Sequence, residues 1–346
     1  MKNRVALIGC GGIGDYHLGH FIALGDRIQL VGFCDLILSR AEEFSRRSSG
    51  CPAYTDYVKM LDETNPDMVF IAVPPAVRGE IEFELIRRKI HFHIQKPVAL
   101  NRDLALRIRD AAEAAGLITA CGFQCRYSSF IEKGRRFCAE NPIVFVDCTR
   151  IGGVPPQPWW RTKSTSGGQL LEQTTHQVDL VRWFVGEPDT VFSFNTHGFI
   201  TGAECPGYDT DDASVTVVKF KNGALATIGT GCYETDRHSF DSKVVFSARG
   251  CRAELKILNS LTVFGEKEPA EDGGEAFSAP DGSTGVVYRE STDAGLESDR
   301  TFIEAVITGD PSAIRSDYRD AVKTLEFTLA CNEAMETGLP VKVIYG

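Results

Sequence analysis

Apolar runs and helical segments alternate along the first third of the chain. Short apolar runs of strand length are separated by segments in which apolar residues recur every three or four positions. The apolar runs lie at residues 5–8, 29–34, 67–73 and 117–122, and a further strand is predicted at 91–94. The helical segments lie at 13–24, 39–48, 57–63, 77–89 and 102–115. Strands that are apolar on both faces are typical of a parallel sheet covered by helices on each side. The pattern predicts an N-terminal Rossmann domain, a doubly wound parallel α/β sheet, over residues 1–122.

The pattern changes after Phe123, where runs with period two replace the strand–helix alternation. These runs lie at residues 143–151, 191–200, 214–220, 224–231, 243–247 and 253–258. The Asn222-Gly223 pair between two of them predicts a hairpin with a type I′ turn, and residues 265–285 are expected to form a surface loop. Residues 123–346 are therefore predicted to form an α+β domain with an open, mainly antiparallel sheet. A terminal helix at about residues 317–335 could pack back on the first domain.

Composition narrows the range of partners. The 346 residues carry a formal charge of −10, from 47 acidic and 37 basic residues, and no basic cluster is dense enough to neutralise a phosphate backbone. Nucleic acid is therefore not expected as a partner. No apolar stretch reaches the ~18 residues of a membrane span, and the first strand begins too near Met1 for a leader peptide, so neither is expected.

Eleven cysteines are scattered along the chain, mostly within apolar runs and without a Cys-x-x-Cys pair. The nearest two, Cys121 and Cys125, have no second pair or nearby histidines to complete a zinc site, so no metal is expected. Buried free thiols are typical of a reducing compartment, and the sequence predicts a cytoplasmic protein.

A glycine motif joins the first strand to the first helix. Gly9-x-Gly11-x-x-Gly14 has the spacing of a dinucleotide-binding turn, in which glycines permit the turn, the approach of a pyrophosphate and close packing of helix on strand. The second apolar run ends in Asp35, 21 residues beyond Gly14, where a carboxylate accepts the ribose hydroxyls of NAD and repels the 2′-phosphate of NADP. The sequence thus predicts NAD as the cofactor. Its predicted contacts here are Gly9, Gly11, Gly12, Ile13, Gly14 and Asp35.

Two segments carry candidate catalytic side chains. Lys96 ends a strand of the first domain, at the edge where ligands bind in open α/β sheets, although a lysine there can also be simply solvated. In the second domain, a helix that starts near Glu172 would place Glu172, His176 and Asp179 on one face. The alternative is a solvated helix face with a His–Asp pair. The preceding Gly167-Gly168 favours a site, because glycines let a ligand approach the backbone.

These side chains suit hydride transfer from an alcohol. That reaction needs a base near the hydroxyl proton and a cation or donor that stabilises developing charge on the oxygen. His176 and Lys96 could supply the two functions, and Glu172 could orient the imidazole or bind substrate hydroxyls.

A proline-stiffened loop before the glycine pair carries Trp159, Trp160 and Arg161. The indole rings could lie against a sugar ring while Arg161 binds a carboxylate or hydroxyl. The alternative is a loop anchor or a subunit contact. Arg126 and Tyr127, which follow the crossover from the first domain, form a second candidate pair for substrate binding.

These motifs occur together in the order and spacing of the Gfo/Idh/MocA oxidoreductases, which the chain resembles over nearly its whole length. They are the glycine turn, Asp35, Ala72-Val73-Pro74-Pro75, Gln95-Lys96-Pro97 and the segment from Gly167-Gly168 through His176-x-x-Asp179. The resemblance implies NAD(P)-dependent oxidation or reduction of sugar-like polyols by a homo-oligomer, either a dimer or a tetramer. It also implies that Lys96 and His176 are the catalytic pair and that Asp179 contacts substrate. The cofactor contacts that it implies beyond the glycine turn are Val73, Pro74, Gln95 and Lys96.

Four positions depart from the family pattern. Gln95 stands where the family usually has glutamate, and Glu172 where it has aspartate. Thr174 replaces the usual glycine, and Arg78 occupies a position that often holds histidine. These changes leave the dehydrogenase interpretation in place.

The sequence therefore predicts an NAD-dependent dehydrogenase that transfers a hydride between nicotinamide and a ring carbon of a sugar, inositol or glycoside. One alternative is a glycosidase that retains NAD and uses transient oxidation to drive elimination. Another is a non-catalytic NAD-sensing regulator, against which the intact Lys96 and His176 argue.

Overall fold

The first sheet contains six strands, all parallel. In the computed structural model, which describes residues 3–48, 50–265 and 273–346, its strands lie in the order β3-β2-β1-β4-β5-β6. The strands are β1 (Asn3–Ile8), β2 (Ile28–Cys34), β3 (Ala53–Tyr54), β4 (Met68–Ile71), β5 (His91–Ile94) and β6 (Thr119–Cys121). The helices between them are α1 (Gly12–Leu24), α2 (Leu38–Arg47), α3 (Tyr57–Thr64), α4 (Glu80–Arg88) and α5 (Arg102–Ala114). This order is that of the Rossmann fold, so the predicted doubly wound sheet is confirmed.

The second sheet contains ten strands in the order β14-β15-β13-β12-β11-β7-β10-β9-β8-β16. Its strands are β7 (Ile143–Ile151), β8 (Pro188–Thr196), β9 (Ala213–Phe220), β10 (Leu225–Gly231), β11 (Asp241–Ala248), β12 (Cys251–Lys256), β13 (Ser260–Phe264), β14 (Glu275–Ser278), β15 (Thr284–Arg289) and β16 (Val341–Lys342). The helices that precede β8 are α6 (Ile131–Glu140), α7 (Lys163–Ser166), α8 (Gln169–Glu172) and α9 (Thr175–Val185). Apart from the parallel pair of β7 and β10, neighbouring strands are antiparallel, which confirms the predicted mainly antiparallel sheet.

One face of this sheet forms a core with helices, and the other is open. Phe137 of α6 and Val181 of α9 belong to the same buried cluster as Val146 and Phe246 of the sheet. Along β9, buried and exposed side chains alternate, as the period-two sequence pattern predicts.

Two local predictions were wrong. The hairpin between β9 and β10 is present, but only Gly223 of its loop has a positive φ, at 92°, whereas a type I′ turn needs two such residues. Its bonds from Phe220 N–H to the Ala224 carbonyl and from Gly223 N–H to the Phe220 carbonyl close a three-residue loop. The predicted surface loop at 265–285 contains β14 and the start of β15. Residues 266–272 of that loop lie outside the described residues.

The chain divides into two compact units. The first comprises Met1–Gln124 and Gly295–Val322, and the second comprises Cys125–Ala294 and Lys323–Gly346. The last two helices, α10 (Ala294–Thr308) and α11 (Tyr318–Thr337), lie at these boundaries. Unlike the predicted division at 122/123, the first unit includes the segment 295–322, because Phe302 of α10 packs on Phe70 of β4 with ring centroids 5.4 Å apart. Among the described residues, no helix is long and apolar enough to cross a membrane.

Candidate cofactor and catalytic site

The glycine turn joins β1 to α1 at the carboxyl end of the parallel sheet. Gly9 has φ of 100°, and a Cβ there would lie 2.5 Å from the Ala72 carbonyl oxygen. A Cβ on Gly14 would overlap the Gly9 carbonyl oxygen, so the packing requires both glycines. A Cβ on Gly11, in contrast, would meet no atom of the described residues within 4 Å, its chain neighbours aside. This open space lies at the N-terminus of α1, where main-chain N–H groups bind a pyrophosphate, and it fits the predicted cofactor.

Asp35 lies directly after β2, and main-chain groups hold its carboxylate. One oxygen accepts the N–H of Cys10 at 2.9 Å, and the other accepts the N–H of Ile37 at 2.9 Å. Each carboxylate oxygen has a second lone pair that can accept a ribose hydroxyl. Gly12 and Ile13 form the exposed start of α1. The carboxylate of Asp35 can therefore accept ribose hydroxyls, and the cofactor contacts of the glycines and Ile13 stay predictions.

The ends of three neighbouring strands carry the other predicted cofactor contacts. The order of the sheet is β1, β4, β5, and because the strands are parallel their carboxyl ends share one edge. Gly9 follows β1, Val73 and Pro74 follow β4, and Gln95 and Lys96 follow β5. Lys96 is half-buried, and the Lys96–Pro97 peptide bond is cis. The roles of these residues stay predictions.

The side chain of Gln95 contacts a buried network centred on Asp299 of α10. His17 and His20 of α1 both direct Nδ1 at one Asp299 oxygen, each at 2.6 Å. Since His17 donates through Nδ1, its Nε2 accepts the Gln95 amide N–H, at 2.8 Å. His93 Nε2 lies 3.8 Å from the other Asp299 oxygen. The side chain of Gln95 is therefore connected through His17 to the Asp299 carboxylate. Sequence analysis missed this carboxylate because Asp299 is 282 positions from His17.

Burial and neighbouring side chains shift the pKa of two members of this network. Burial by itself raises the pKa of Asp299, but its interaction with His17 and the hydrogen bonds from His17 and His20 outweigh burial, so the pKa lies below its usual range. Burial lowers the pKa of His93 to about 3, so this ring is neutral at pH 7. His17, His20 and Asp299 are of the residue types that bind metals, but their 2.6 Å contacts have the length of hydrogen bonds.

In the second unit, the predicted helix around His176 is interrupted. Glu172 ends α8, and α9 begins at Thr175, so Glu172 and His176 do not belong to one continuous helix. The interruption coincides with Thr174, whose N–H bonds to the Gln169 carbonyl five residues back and whose hydroxyl bonds to that of Thr230. The half-buried His176 lies in the first turn of α9.

Glu172 is 5% exposed and is held by neighbouring side chains. Its Oε2 accepts the indole N–H of Trp160 at 2.7 Å and the amide N–H of Gln173 at 2.6 Å. Trp160 is 1% exposed, which matches the loop-anchor alternative, whereas Trp159 and Arg161 are half-buried. Contact of these three residues with substrate stays a prediction.

Asp179 and Arg126 form a buried ion pair. Two hydrogen bonds, of 2.7 and 2.5 Å, join the guanidinium to the carboxylate, and Thr324 donates a third to Asp179 at 2.7 Å. Asp179 is 1% exposed and Arg126 0%, and the guanidinium also lies 5.0 Å from the ring centroid of Trp183. Tyr127 is 7% exposed. Direct contact of this pair with substrate would require the ion pair to open, so their substrate-binding role stays a prediction.

Arg150 of β7 is a further polar residue that sequence analysis missed. It donates to Gln173 at 3.0 Å, and Gln173 in turn donates to Glu172. Burial lowers the pKa of its guanidinium, and the nearby Glu172 carboxylate opposes that shift. The available signal was an arginine in a strand-like run whose other charged residue is Asp147.

Two family models match the chain. Residues 3–123 match the model of the oxidoreductase family with an NAD-binding Rossmann fold, GFO_IDH_MocA. Residues 142–268 match the GFO/IDH/MocA C-terminal domain. The chain belongs to the Gfo/Idh/MocA oxidoreductase family. The family resemblance predicted from the motifs, and NAD as the cofactor type of the first domain, are thereby confirmed.

Curated relatives include dehydrogenases of cyclic polyols and glycosides. Myo-inositol 2-dehydrogenase of Thermotoga maritima is 26% identical over 98% of this chain and 98% of its own length. D-glucoside 3-dehydrogenase of Escherichia coli K12 is 25% identical over 66% of this chain and 69% of its own length.

Solved structures share the fold of this Gfo/Idh/MocA protein. The WlbA dehydrogenase of Bordetella pertussis, in complex with NADH and UDP-GlcNAcA, superposes with a TM-score of 0.81 at 19% identity, over 100% of both chains. Myo-inositol 2-dehydrogenase of Lactobacillus plantarum superposes with a TM-score of 0.80 at 19% identity, over 99% of this chain and 100% of its own.

Proposed function

We propose that this Gfo/Idh/MocA protein is an NAD-dependent dehydrogenase that acts on a CH–OH group of a cyclic polyol, such as an inositol, a sugar or a glycoside. The observation that carries the proposal is the strand edge that combines the open space at Gly11, the anchored carboxylate of Asp35 and the side chain of Lys96. Relatives named as inositol and glucoside dehydrogenases support the substrate class.

Each functional side chain has a defined task in this proposal. The main chain at Gly11 and the carboxylate of Asp35 would hold NAD, which would supply the hydride acceptor for the ring carbon. His176 takes up the hydroxyl proton, and the Lys96 ammonium stabilises the charge that develops on the oxygen. Glu172, whose position is set by Trp160 and Gln173, orients the substrate hydroxyls or the imidazole.

The test is turnover on a panel of inositols, sugars and glycosides with NAD, followed by the absorbance of the reduced cofactor. We expect Lys96→Ala and His176→Ala to lower kcat by about 10²- to 10⁴-fold, with little change in NAD affinity. Lys59→Ala and His238→Ala, at exposed positions, are the matched controls.

Three outcomes contradict the proposal. Tight NAD binding without turnover of any substrate in either direction excludes a dehydrogenase, and NAD-dependent binding of a protein partner would then indicate a regulator. Release of an aglycone without net reduced cofactor indicates a glycosidase. Loss of NAD binding in Lys96→Ala or His176→Ala excludes the roles given to these side chains.

We also propose that the open face of the second sheet pairs with a second copy of this chain. Large apolar side chains are exposed on it at neighbouring positions, since Phe194 lies opposite Val215 and Phe145 opposite Leu225. Such a face is typical of protein interfaces. The exposed fractions are 62% for Phe194, 46% for Val215, 39% for Phe145 and 51% for Leu225.

Sedimentation of the wild-type chain and of Val217→Lys, a substitution on the same strand and face as Val215, tests this pairing. We expect a dimer or tetramer for the wild type and a smaller species for the variant. Val58→Lys, at an exposed apolar position of α3, is the control. A monomeric wild type contradicts the proposal.

A cytoplasmic location is proposed as well. The eleven cysteines all lie among the described residues and are not in disulfides, and thiols persist in a reducing compartment. Fractionation of cells that express the natural protein tests it, and recovery outside the cytoplasm contradicts it.

A further inference from the structure

Arg78 is a buried cation. Neither the sequence motifs nor the family resemblance assigns it a function. It follows a short 3-10 turn, Pro75–Val77, and lies just before α4. The residue is 7% exposed. Desolvating a guanidinium is costly unless hydrogen-bond acceptors surround it, so its partners indicate why it is retained.

Those partners are main-chain carbonyl oxygens at two strand ends. Nη1 donates to the carbonyls of Gln95 and Pro97, and Nη2 donates to the carbonyl of Val73 at 3.0 Å. Gln95 and Pro97 are the residues immediately before and after Lys96. The guanidinium therefore holds the main chain on both sides of Lys96 and ties it to the end of β4.

The contact from His17 complements this arrangement. His17 accepts the side-chain amide of Gln95 at 2.8 Å, while Arg78 binds the carbonyl of the same residue. The main chain from which the Lys96 side chain extends is thus fixed by two independent contacts. A histidine at position 78, which the family often has, carries at most two ring N–H donors and cannot bind three carbonyls.

The charge of Arg78 has a separate partner in Glu82 of α4. Glu82 is 0% exposed, and its Oε2 accepts the N–H of Gly79 at 2.6 Å. Burial raises the pKa of Glu82, and the positive charge of Arg78 opposes that shift. A lysine at position 78 would keep this charge but could not reproduce the planar, forked set of donors.

We propose that Arg78 is a positioning residue for Lys96, which sets the place of the Lys96 ammonium by binding the carbonyls of Gln95, Pro97 and Val73. The inference rests on the proposed function, because Arg78 acts through Lys96, whose ammonium stabilises the reacting oxygen in that proposal. Misplacement of a catalytic group by about 1 Å can lower the rate about 10²-fold.

The test is a double-mutant cycle with Arg78→Lys, Lys96→Ala and the double variant, measured by kcat, KM and NAD affinity. We expect Arg78→Lys to fold, to lower kcat about 10²-fold and to leave NAD affinity nearly unchanged. In the Lys96→Ala background the same substitution should have little further effect, because a positioning residue acts through its target.

Two further variants separate positioning from a structural role. Arg78→His, with the residue common in the family, should lower kcat as Arg78→Lys does. Arg88→Ala removes another arginine of the same unit, which pairs with Glu84 and Asp62, and should leave kcat unchanged. Thermal unfolding of each variant shows whether a fall in kcat only reflects loss of folded protein.

Two results overturn the inference. In the first, Arg78→Lys has the same kcat as Arg88→Ala. In the second, Arg78→Lys lowers kcat by the same factor whether or not Lys96 is present. If Lys96→Ala itself turns over at the wild-type rate, the proposed function of Lys96 fails, and the role of Arg78 fails with it. A loss of kcat in Lys96→Ala but not in the Arg78 variants removes the Arg78 role alone.

Discussion

The turn that carries Lys96 and the segment that carries His176 are held in different ways. In the first, Arg78 binds three main-chain carbonyls, two of them beside Lys96, and the Gln95 side chain contacts His17. In the second, side chains bind one another, as in the pair of Arg126 and Asp179. The ends of parallel strands leave main-chain polar groups without sheet partners, whereas a helix satisfies its own main chain. Asp179, on a buried helix face, has the side chains of Arg126 and Thr324 as its partners.

The largest loss of stability is expected at the buried ion pair of Arg126 and Asp179. Arg126→Met leaves the Asp179 carboxylate without its cation, and we expect the free energy of unfolding to fall by about 3–5 kcal/mol. The double variant Arg126→Met/Asp179→Leu should recover most of this loss, because no unpaired charge stays buried. Urea unfolding measures both. A small loss of stability together with a raised KM would instead indicate that the pair binds substrate.

The next effect concerns the Asp299 network of the first unit. Asp299→Asn removes the acceptor shared by His17 and His20, and we expect a loss of about 2–3 kcal/mol at pH 7. The pKa of Asp299 is lowered in the folded state, so its contribution is present above the unfolded-state value of 3.8 and is lost as the pH falls below it. The difference between variant and wild type, from urea unfolding at several pH values, should therefore shrink in acid. A pH-independent difference contradicts this origin.

A smaller effect is expected at the Trp160–Glu172 hydrogen bond. Trp160→Phe keeps an aromatic ring but removes the indole N–H donor, and we expect a loss of about 1–2 kcal/mol because the Glu172 carboxylate is buried. Trp159→Phe, at the half-buried neighbour, is the matched control and should change stability by less than about 0.5 kcal/mol. Equal effects of the two substitutions would show that the bond to Glu172 does not stabilise the loop.

A change in binding free energy within the same range is expected at Asp35. Asp35→Ser removes the carboxylate that accepts ribose hydroxyls and repels a 2′-phosphate. We expect NAD to bind about tenfold more weakly, a change of about 1.4 kcal/mol, and the preference for NAD over NADP to narrow. Titration of both cofactors against wild type and variant checks this. Tighter binding of NADP than of NAD by the wild type contradicts the assignment.

Much of the fold could be predicted from the sequence because its signals are local. Apolar runs such as residues 67–73 predicted buried parallel strands, and the glycine spacing predicted the turn at Gly9. The type I′ turn was wrong because the asparagine–glycine pair also fits a three-residue loop that needs a positive φ only at Gly223. A propensity of two residues does not determine the number of residues in a loop.

The break between α8 and α9 shows a second limit. Helical spacing placed Glu172 and His176 on one face, but the hydroxyl of Thr174 bonds to Thr230, 56 positions away. A contact at that separation leaves no trace in local periodicity. The tertiary partner therefore decides where the helix starts.

The sequence by itself determined the class of each sheet, the glycine turn and the position of Asp35. It also determined the family, through motifs that include Lys96 and His176. These depend on local spacing and residue type, which a chain carries in linear order. Only the tertiary structure decided which polar groups are partners. It buried Asp179 against Arg126, joined Gln95 to Asp299 through His17, and placed Arg78 on the carbonyls beside Lys96. A buried polar group must be satisfied, and its partner is whichever group the packing of distant segments brings within hydrogen-bond distance.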